Sequence, residues 1–165
     1  MRNLIFVGLP GSGKSTVGRL CAKDLGLPFV DADKFLEQRE GRSVADIFAS
    51  SGEGYFRDLE SRVLAELCRR EGIVLATGGG AVLRRENRTL LKGSGLVIFL
   101  DRSPWAIRRT LRRQGRPLLT DDGAIFRLAR QRRDLYRAAA HHSVNKPTAR
   151  QAAEEAVRLW REEQT

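Results

Sequence analysis

The chain has 165 residues, of which 41% are hydrophobic and 30% charged, with a formal net charge of +10. That length fits one domain able to bury well over half of its unfolded surface, and no apolar run is long enough to span a bilayer. The excess of basic residues leaves two kinds of anionic partner, nucleic acid or small polyanions. Arg108, Arg109, Arg112, Arg113 and Arg116 cluster, but only Trp105 stands near them. The aromatic interleaving of a single-strand binder is therefore missing, and nucleic acid is not the expected partner. Met1-Arg2-Asn3 leads straight into apolar sequence without an export signal. Cys21 and Cys68 lie far apart, on the apolar side of helical patterns, as reduced thiols of a cytoplasmic protein would.

In chain order, Leu4 to Val7 is a short buried strand that ends in Gly8-Leu9-Pro10-Gly11-Ser12-Gly13-Lys14-Ser15. Lys14 to Leu25 has helical spacing at Val17, Leu20 and Cys21, and Gly26 closes it. Pro28 to Asp31 gives a second strand, and Ala32-Asp33 opens another helix. Ser43-Val44-Ala45-Asp46 has the form of a helix start, and after Ser51-Gly52 a longer helix is predicted from about Glu53 to Arg70. Ile73 to Ala76 is a third strand running into Thr77-Gly78-Gly79-Gly80, where backbone must approach something closely. Leu96 to Leu100 is a fourth strand, and Pro104 sits in the first turn of the next helix. The segment from Arg113 to Gly123 is polar, turn-rich and expected to be mobile. A helix from about Ala124 to Ala140, a short strand at Ser143 to Asn145 and a helix from Thr148 to about Glu162 complete the chain. Alternation of this kind predicts an α/β fold, a mostly parallel sheet covered on both faces with ligands at the carboxyl ends of its strands.

The pattern G-x-x-x-x-G-K-[ST] between a strand and a helix is a phosphate cradle. Backbone N–H groups surround phosphate oxygens, Lys14 reaches the terminal phosphates and Ser15 can hold Mg²⁺. The third strand carries no acid for that metal, so Asp31 is the replacement, with Asp33 facing an acceptor hydroxyl. Arg57 and Glu60, three apart on one helical face, fit either a surface ion pair or a carboxylate-binding Arg steered by Glu60. Arg116 could swing onto phosphates from its turn-rich segment. His141 and His142 follow an alanine run, away from every motif, and read as a partly exposed pair.

The loop GLPGSGKST, the Asp31-Ala32-Asp33 pair, GEGYFRDLE at 52–60, ATGGG at 76–80, RPLL at 116–119 and the run Arg132 to Tyr136 occur in one order along the chain. In this the sequence resembles the shikimate kinases from end to end. The resemblance implies a single three-layer α/β/α P-loop kinase domain over 1–165, with a five-stranded parallel sheet in order 2-3-1-4-5. It also implies acceptor-binding helices at about 33–60 and a lid at about 113–123. The implied reaction moves the γ-phosphoryl of ATP to the 3-hydroxyl of shikimate with one Mg²⁺ ion, in a cytoplasmic monomer whose partners are these two small molecules, without nucleic acid or membrane.

By the same resemblance, Gly11, Ser12, Gly13, Lys14, Ser15, Thr16, Arg109 and Arg116 bind ATP. Asp33, Arg57, Gly78, Gly79, Gly80 and Arg132 bind shikimate. Lys14, Asp33 and Arg116 act in catalysis, and Ser15 with Asp31, through water, holds the metal. Where the family pattern usually reads R-x-P-L-Y, this chain has Arg132-Arg133-Asp134-Leu135-Tyr136, so Arg133 competes with Arg132 as the carboxylate ligand.

Overall fold

The structure is a computed structural model, and it describes residues 2–113 and 123–165. Five strands, β1 (Asn3–Val7), β2 (Phe29–Asp31), β3 (Val74–Ala76), β4 (Gly95–Leu100) and β5 (His142–Val144), form one parallel sheet in the order β2-β3-β1-β4-β5. This is the expected order. Seven helices lie among them: α1 (Lys14–Leu25), α2 (Ala32–Glu40), α3 (Val44–Leu67), α4 (Arg85–Ser94), α5 (Pro104–Arg113), α6 (Ala124–Ala139) and α7 (Ala149–Glu163).

The central strand is buried on both faces, and its side chains alternate between two cores. Leu4 and Phe6 pack with Val74, Leu96 and Ile98 under Cys21 of α1 and Ala153 and Trp160 of α7. Ile5 and Val7 pack with Leu75, Val97 and Phe99 under Leu36, Leu64, Leu91, Ile107 and Ile125 from the helices of the opposite layer. Cys21 is a buried free thiol and Cys68 is half-buried and free at the end of α3.

Most predicted element limits hold to within two residues, because the punctuation is chemical. Gly26 takes the left-handed conformation at φ 67° and ends α1, while the Ser43 hydroxyl accepts from the Asp46 N–H and starts α3. At Gly52 the backbone leaves helical geometry, with φ 82° and ψ 171°, so α3 is two helices joined at a kink. One helix, α4, is absent from the sequence reading. Its cap residue Arg84 makes no side-chain cap bond, and Gly93-Ser94-Gly95 at its end reads as a turn. The lid expected at about 113–123 falls almost wholly on 114–122, outside the described residues, and Arg116 lies there with it.

The parallel strands deliver every chemically active segment to one edge. The loop 8–13 leaves β1, Asp31 ends β2, Thr77 to Gly80 leave β3, and Asp101 and Arg102 leave β4. The connection after β1 runs toward β2 and the one after β4 toward β5, so the crevice between β1 and β4 is the switch point where such sheets bind ligands.

Candidate active site

A cavity of about 380 Å³ opens at this edge, lined by Pro10, Gly11, Gly13, Lys14, Ser15 and Thr16 from the first loop and helix, by Asp31 and Asp33, and by Thr77, Gly78 and Gly79. Gly13 precedes α1 at φ 93°, a conformation that favours glycine, and this turn opens the helix at Lys14. The buried Lys14 ammonium donates to the carbonyls of Gly8 and Leu9, each at 2.8 Å. These two bonds leave one of its three N–H donors for a ligand. Burial lowers its pKa to about 8, against the opposing pull of Asp33 and Asp31. The Ser12 hydroxyl is buried without a partner among the described residues.

Asp31 does two jobs. Its Oδ1 accepts from the Lys34 N–H and caps α2, while its Oδ2 accepts from the Ser15 hydroxyl at 2.6 Å. Asp33, in the first turn of α2, has its carboxyl pushed up to about 6, first by burial and then by the charges of Glu60 and Asp31, with Lys14 pulling the other way. A carboxyl poised there is ionised at neutral pH yet basic enough to take a proton.

Arg57 and Glu60 are a buried pair rather than the surface pair that spacing also allows. Arg57 Nη1 donates to Glu60 Oε1 at 2.8 Å, with side-chain exposures of 12% and 5%. The Arg57 guanidinium carbon lies 5.1 Å from the Phe56 ring centre and 5.9 Å from that of Phe48, so packing fixes the fork as much as charge does. Burial raises the Glu60 pKa in spite of Arg57, and its Oε2 has no hydrogen-bond partner among the described residues.

The three glycines admit this arrangement. A Cβ on Gly78 would lie 2.7 Å from Asp33 Oδ1 and 3.1 Å from Glu60 Oε2, one on Gly79 would lie 2.8 Å from Pro10 Cδ, and one on Gly80 would fall on the Arg57 guanidinium. Side chains here would displace the first loop, the acid and the Arg together.

From α6, the buried Tyr136 donates through its hydroxyl to the Gly79 carbonyl at 2.7 Å, and its ring stacks on Phe99 at 5.2 Å. Burial raises the Tyr136 pKa, against the opposing charge and hydrogen bond of Arg132. Arg132 is half-buried and acts electrostatically on Lys14 and Glu60, whereas Arg133 is exposed and ion-paired with Asp101 at 3.0 Å. Arg109 stands exposed on α5. His141 accepts the Val97 N–H through Nδ1 and closes the strand edge, while His142 is half-buried in β5.

Sequence reading missed Thr77, whose hydroxyl holds the Phe6 carbonyl at 2.9 Å, as well as Tyr136 as a support of the glycine loop, and Arg102. It also missed a second cavity of about 200 Å³ that shares Gly13, Thr16 and Arg102 with the first and extends along Asn145, Lys146, Pro147 and Thr148. Only the Lys-Pro-Thr turn after a strand could have pointed to it.

A phosphate loop at a sheet switch point, with a buried acid and a buried Arg facing it across a side-chain-free loop, defines a P-loop phosphotransferase of the small-molecule kinase type. The shikimate kinase family model matches residues 10–161. A shikimate kinase of Symbiobacterium thermophilum is 50% identical over 145 residues, covering 84% of this chain and 83% of that one. A shikimate kinase of Thioalkalivibrio sulfidiphilus is 46% identical over 165 residues, with 96% and 87% covered. The structure of shikimate kinase from Acinetobacter baumannii in complex with shikimate superposes with a TM-score of 0.91 at 37% identity, covering 99% of this chain and 94% of that one. A gluconokinase from Sinorhizobium meliloti, at 19% identity and a TM-score of 0.60, shares the fold alone. The chain belongs to the shikimate kinase family.

Proposed function

We propose that the chain transfers the γ-phosphoryl of ATP to the 3-hydroxyl of shikimate, giving shikimate 3-phosphate and ADP. The observation that carries this reading is that Asp33 and Lys14 line one cavity, with the Arg57 fork held behind the glycine loop on the acid's side. A hydroxylated carboxylate fits that half: Asp33 takes the hydroxyl proton, and Arg57 and Arg132 supply cationic forks for the carboxylate. Glu60 steadies Arg57, and the backbone of Gly78 to Gly80 lies against the ring. Gly11, Ser12, Gly13 and Thr16 join Lys14 and Ser15 around the phosphates. Arg109 and Arg116 are assigned to the nucleotide by family resemblance.

The Ser15 hydroxyl and the Asp31 carboxylate, hard oxygen donors held 2.6 Å apart, suit Mg²⁺, Asp31 acting through water. Held there by Ser15 and, through water, by Asp31, the ion would neutralise charge on the phosphates. Among the described residues no group of three or more His, Cys, Asp or Glu could hold a metal by itself, which fits an ion that takes most of its ligands from phosphate and water. Transfer then rests on positioning and electrostatics: the Lys14 ammonium stands by the terminal phosphates while Asp33 aligns and deprotonates the acceptor oxygen. Both halves come from one copy of the chain, consistent with a monomer acting in the cytoplasm. Among the described residues no helix is long and apolar enough to cross a membrane.

Phosphorus NMR of a mixture of ATP, Mg²⁺, shikimate and the enzyme tests the reading. The expected result is a phosphomonoester resonance coupled to the proton on carbon 3 of shikimate, growing in step with ADP. ADP formation without that ester, or an ester at another hydroxyl, would overturn it.

A further inference from the structure

Among the cations of the nucleotide side that neither motif nor family resemblance assigned is Arg102. Arg102 leaves the carboxyl end of β4, directly across the switch-point crevice from the loop that leaves β1. Its Nη1 donates to the Gly11 carbonyl at 3.3 Å and its Nη2 to the Thr110 hydroxyl at 2.5 Å, which ties the phosphate loop to α5. It lines the phosphate cavity, the second cavity along Asn145 to Thr148 and a third of about 530 Å³ between the end of β4 and α6, so its side chain stands where the three meet. The neighbouring carboxylate, Asp101, is taken by Arg133, and among the described residues Arg102 makes no ion pair. A guanidinium has five N–H donors, and the two bonds just named leave others for an anion.

Resting on the kinase reading above, we propose that Arg102 is a nucleotide-binding residue whose guanidinium holds the α- and β-phosphates of ATP where the chain of phosphates passes from the first cavity to the second. The terminal phosphates sit at Lys14 and Ser15, at the start of α1. The remainder of the nucleotide needs a concave site contiguous with them, and of the two cavities that meet the phosphate cavity at Arg102 the one along Asn145 to Thr148 also shares Gly13 and Thr16 of the phosphate loop and its helix. A ligand running from one to the other passes Arg102. Planar, permanently charged guanidinium is suited to the paired oxygens of a diphosphate. Its bond to Gly11 and Thr110 supplies preorganisation: the side chain is oriented before the nucleotide arrives, so little rotamer freedom is lost on binding.

Calorimetric titration of the full chain with ATP and with ADP, in the presence of Mg²⁺ and without acceptor, tests the assignment. For Arg102→Gln both nucleotides are expected to weaken by about tenfold or more, the scale of a lost charge-assisted contact. Arg102→Lys should recover part of the loss. Thr110→Val, which removes the neutral anchor but keeps the guanidinium, should change either affinity by no more than a few fold. In steady state Arg102→Gln should raise KM for ATP and leave KM for shikimate unchanged. Unchanged ATP and ADP affinities, weakening confined to ATP, or equal losses in Arg102→Gln and Thr110→Val would each overturn the proposal. The last would make Arg102 a prop for the loop. Because no acceptor is present, the titration stays readable if shikimate is not the substrate. Absence of any ATP binding by the unaltered chain would instead overturn the kinase reading and Arg102's role with it.

Discussion

The two halves of the cleft are built on opposite plans. The phosphate loop is one continuous segment, residues 8–16, with Lys14 held on two loop carbonyls and Ser15 on Asp31. The acceptor half is assembled from α2, α3, the loop after β3 and α6, and its Asp33 carboxyl is pushed up to about 6, while each half keeps one buried oxygen unpartnered among the described residues, Ser12 Oγ in the first and Glu60 Oε2 in the second. A phosphate binder can rely on backbone N–H groups, which any sequence supplies once the turn is formed. Recognition of one particular hydroxylated acid needs side chains at fixed separations, and buried ion pairs and close glycine contacts fix them. Substitutions in the acceptor half should therefore separate chemistry from nucleotide binding.

The largest separation is expected at Asp33. Asp33→Asn should lower turnover by about a hundredfold or more, the scale of a lost general base, with circular dichroism and ATP affinity unchanged. In the unaltered enzyme kcat/KM for shikimate should rise as pH passes about 6, because Asp33 must be ionised to accept a proton, and fall above about 8, where Lys14 of the free enzyme loses its charge. Asp33→Asn should abolish the acid limb and keep the alkaline one. Retention of both limbs in the variant would assign the lower one to another group.

Arg57→Ala comes next. It removes the proposed carboxylate ligand and strands Glu60 as a buried, unpaired acid, so shikimate affinity should fall by about tenfold or more and the melting temperature should drop. ATP affinity should hold. Parallel loss of ATP binding would show that the two halves are not separable at this residue. The smallest effect is expected at Tyr136. Tyr136→Phe deletes only the hydrogen bond to Gly79, so KM for shikimate should rise by about fivefold, the scale of one neutral bond, with kcat nearly constant. An unchanged KM would mean that the Thr77 bond to Phe6 and the packing against Pro10, Asp33 and Arg57 hold the glycine loop without Tyr136.

The same contrast explains what could be read in the chain before folding. The loop 8–15, the caps at Gly26, Ser43 and Thr148, and the strand order implied by the family are local or pattern-level signals, and the structure has them. Spacing put Arg57 and Glu60 on one helical face but could not say that the Phe48 and Phe56 rings would pack on Arg57. The partner of Arg133, Asp101, is 32 residues away, and the anchor of Tyr136 is 57 residues distant. Such partners meet only through the sheet. Arg102 was passed over for the same reason, since its partners Gly11 and Thr110 belong to different elements. Helix α4 was lost to weak local punctuation rather than to distance.

The central claim is that the acceptor half selects shikimate. A coupled assay of ADP release with shikimate, gluconate and nucleoside monophosphates as alternative acceptors tests it most directly. ADP release should be slow with ATP alone and rise steeply only with shikimate, since the hydroxyl must take the place of water beside Asp33. Equal rates with all acceptors, or no response to shikimate, would contradict it.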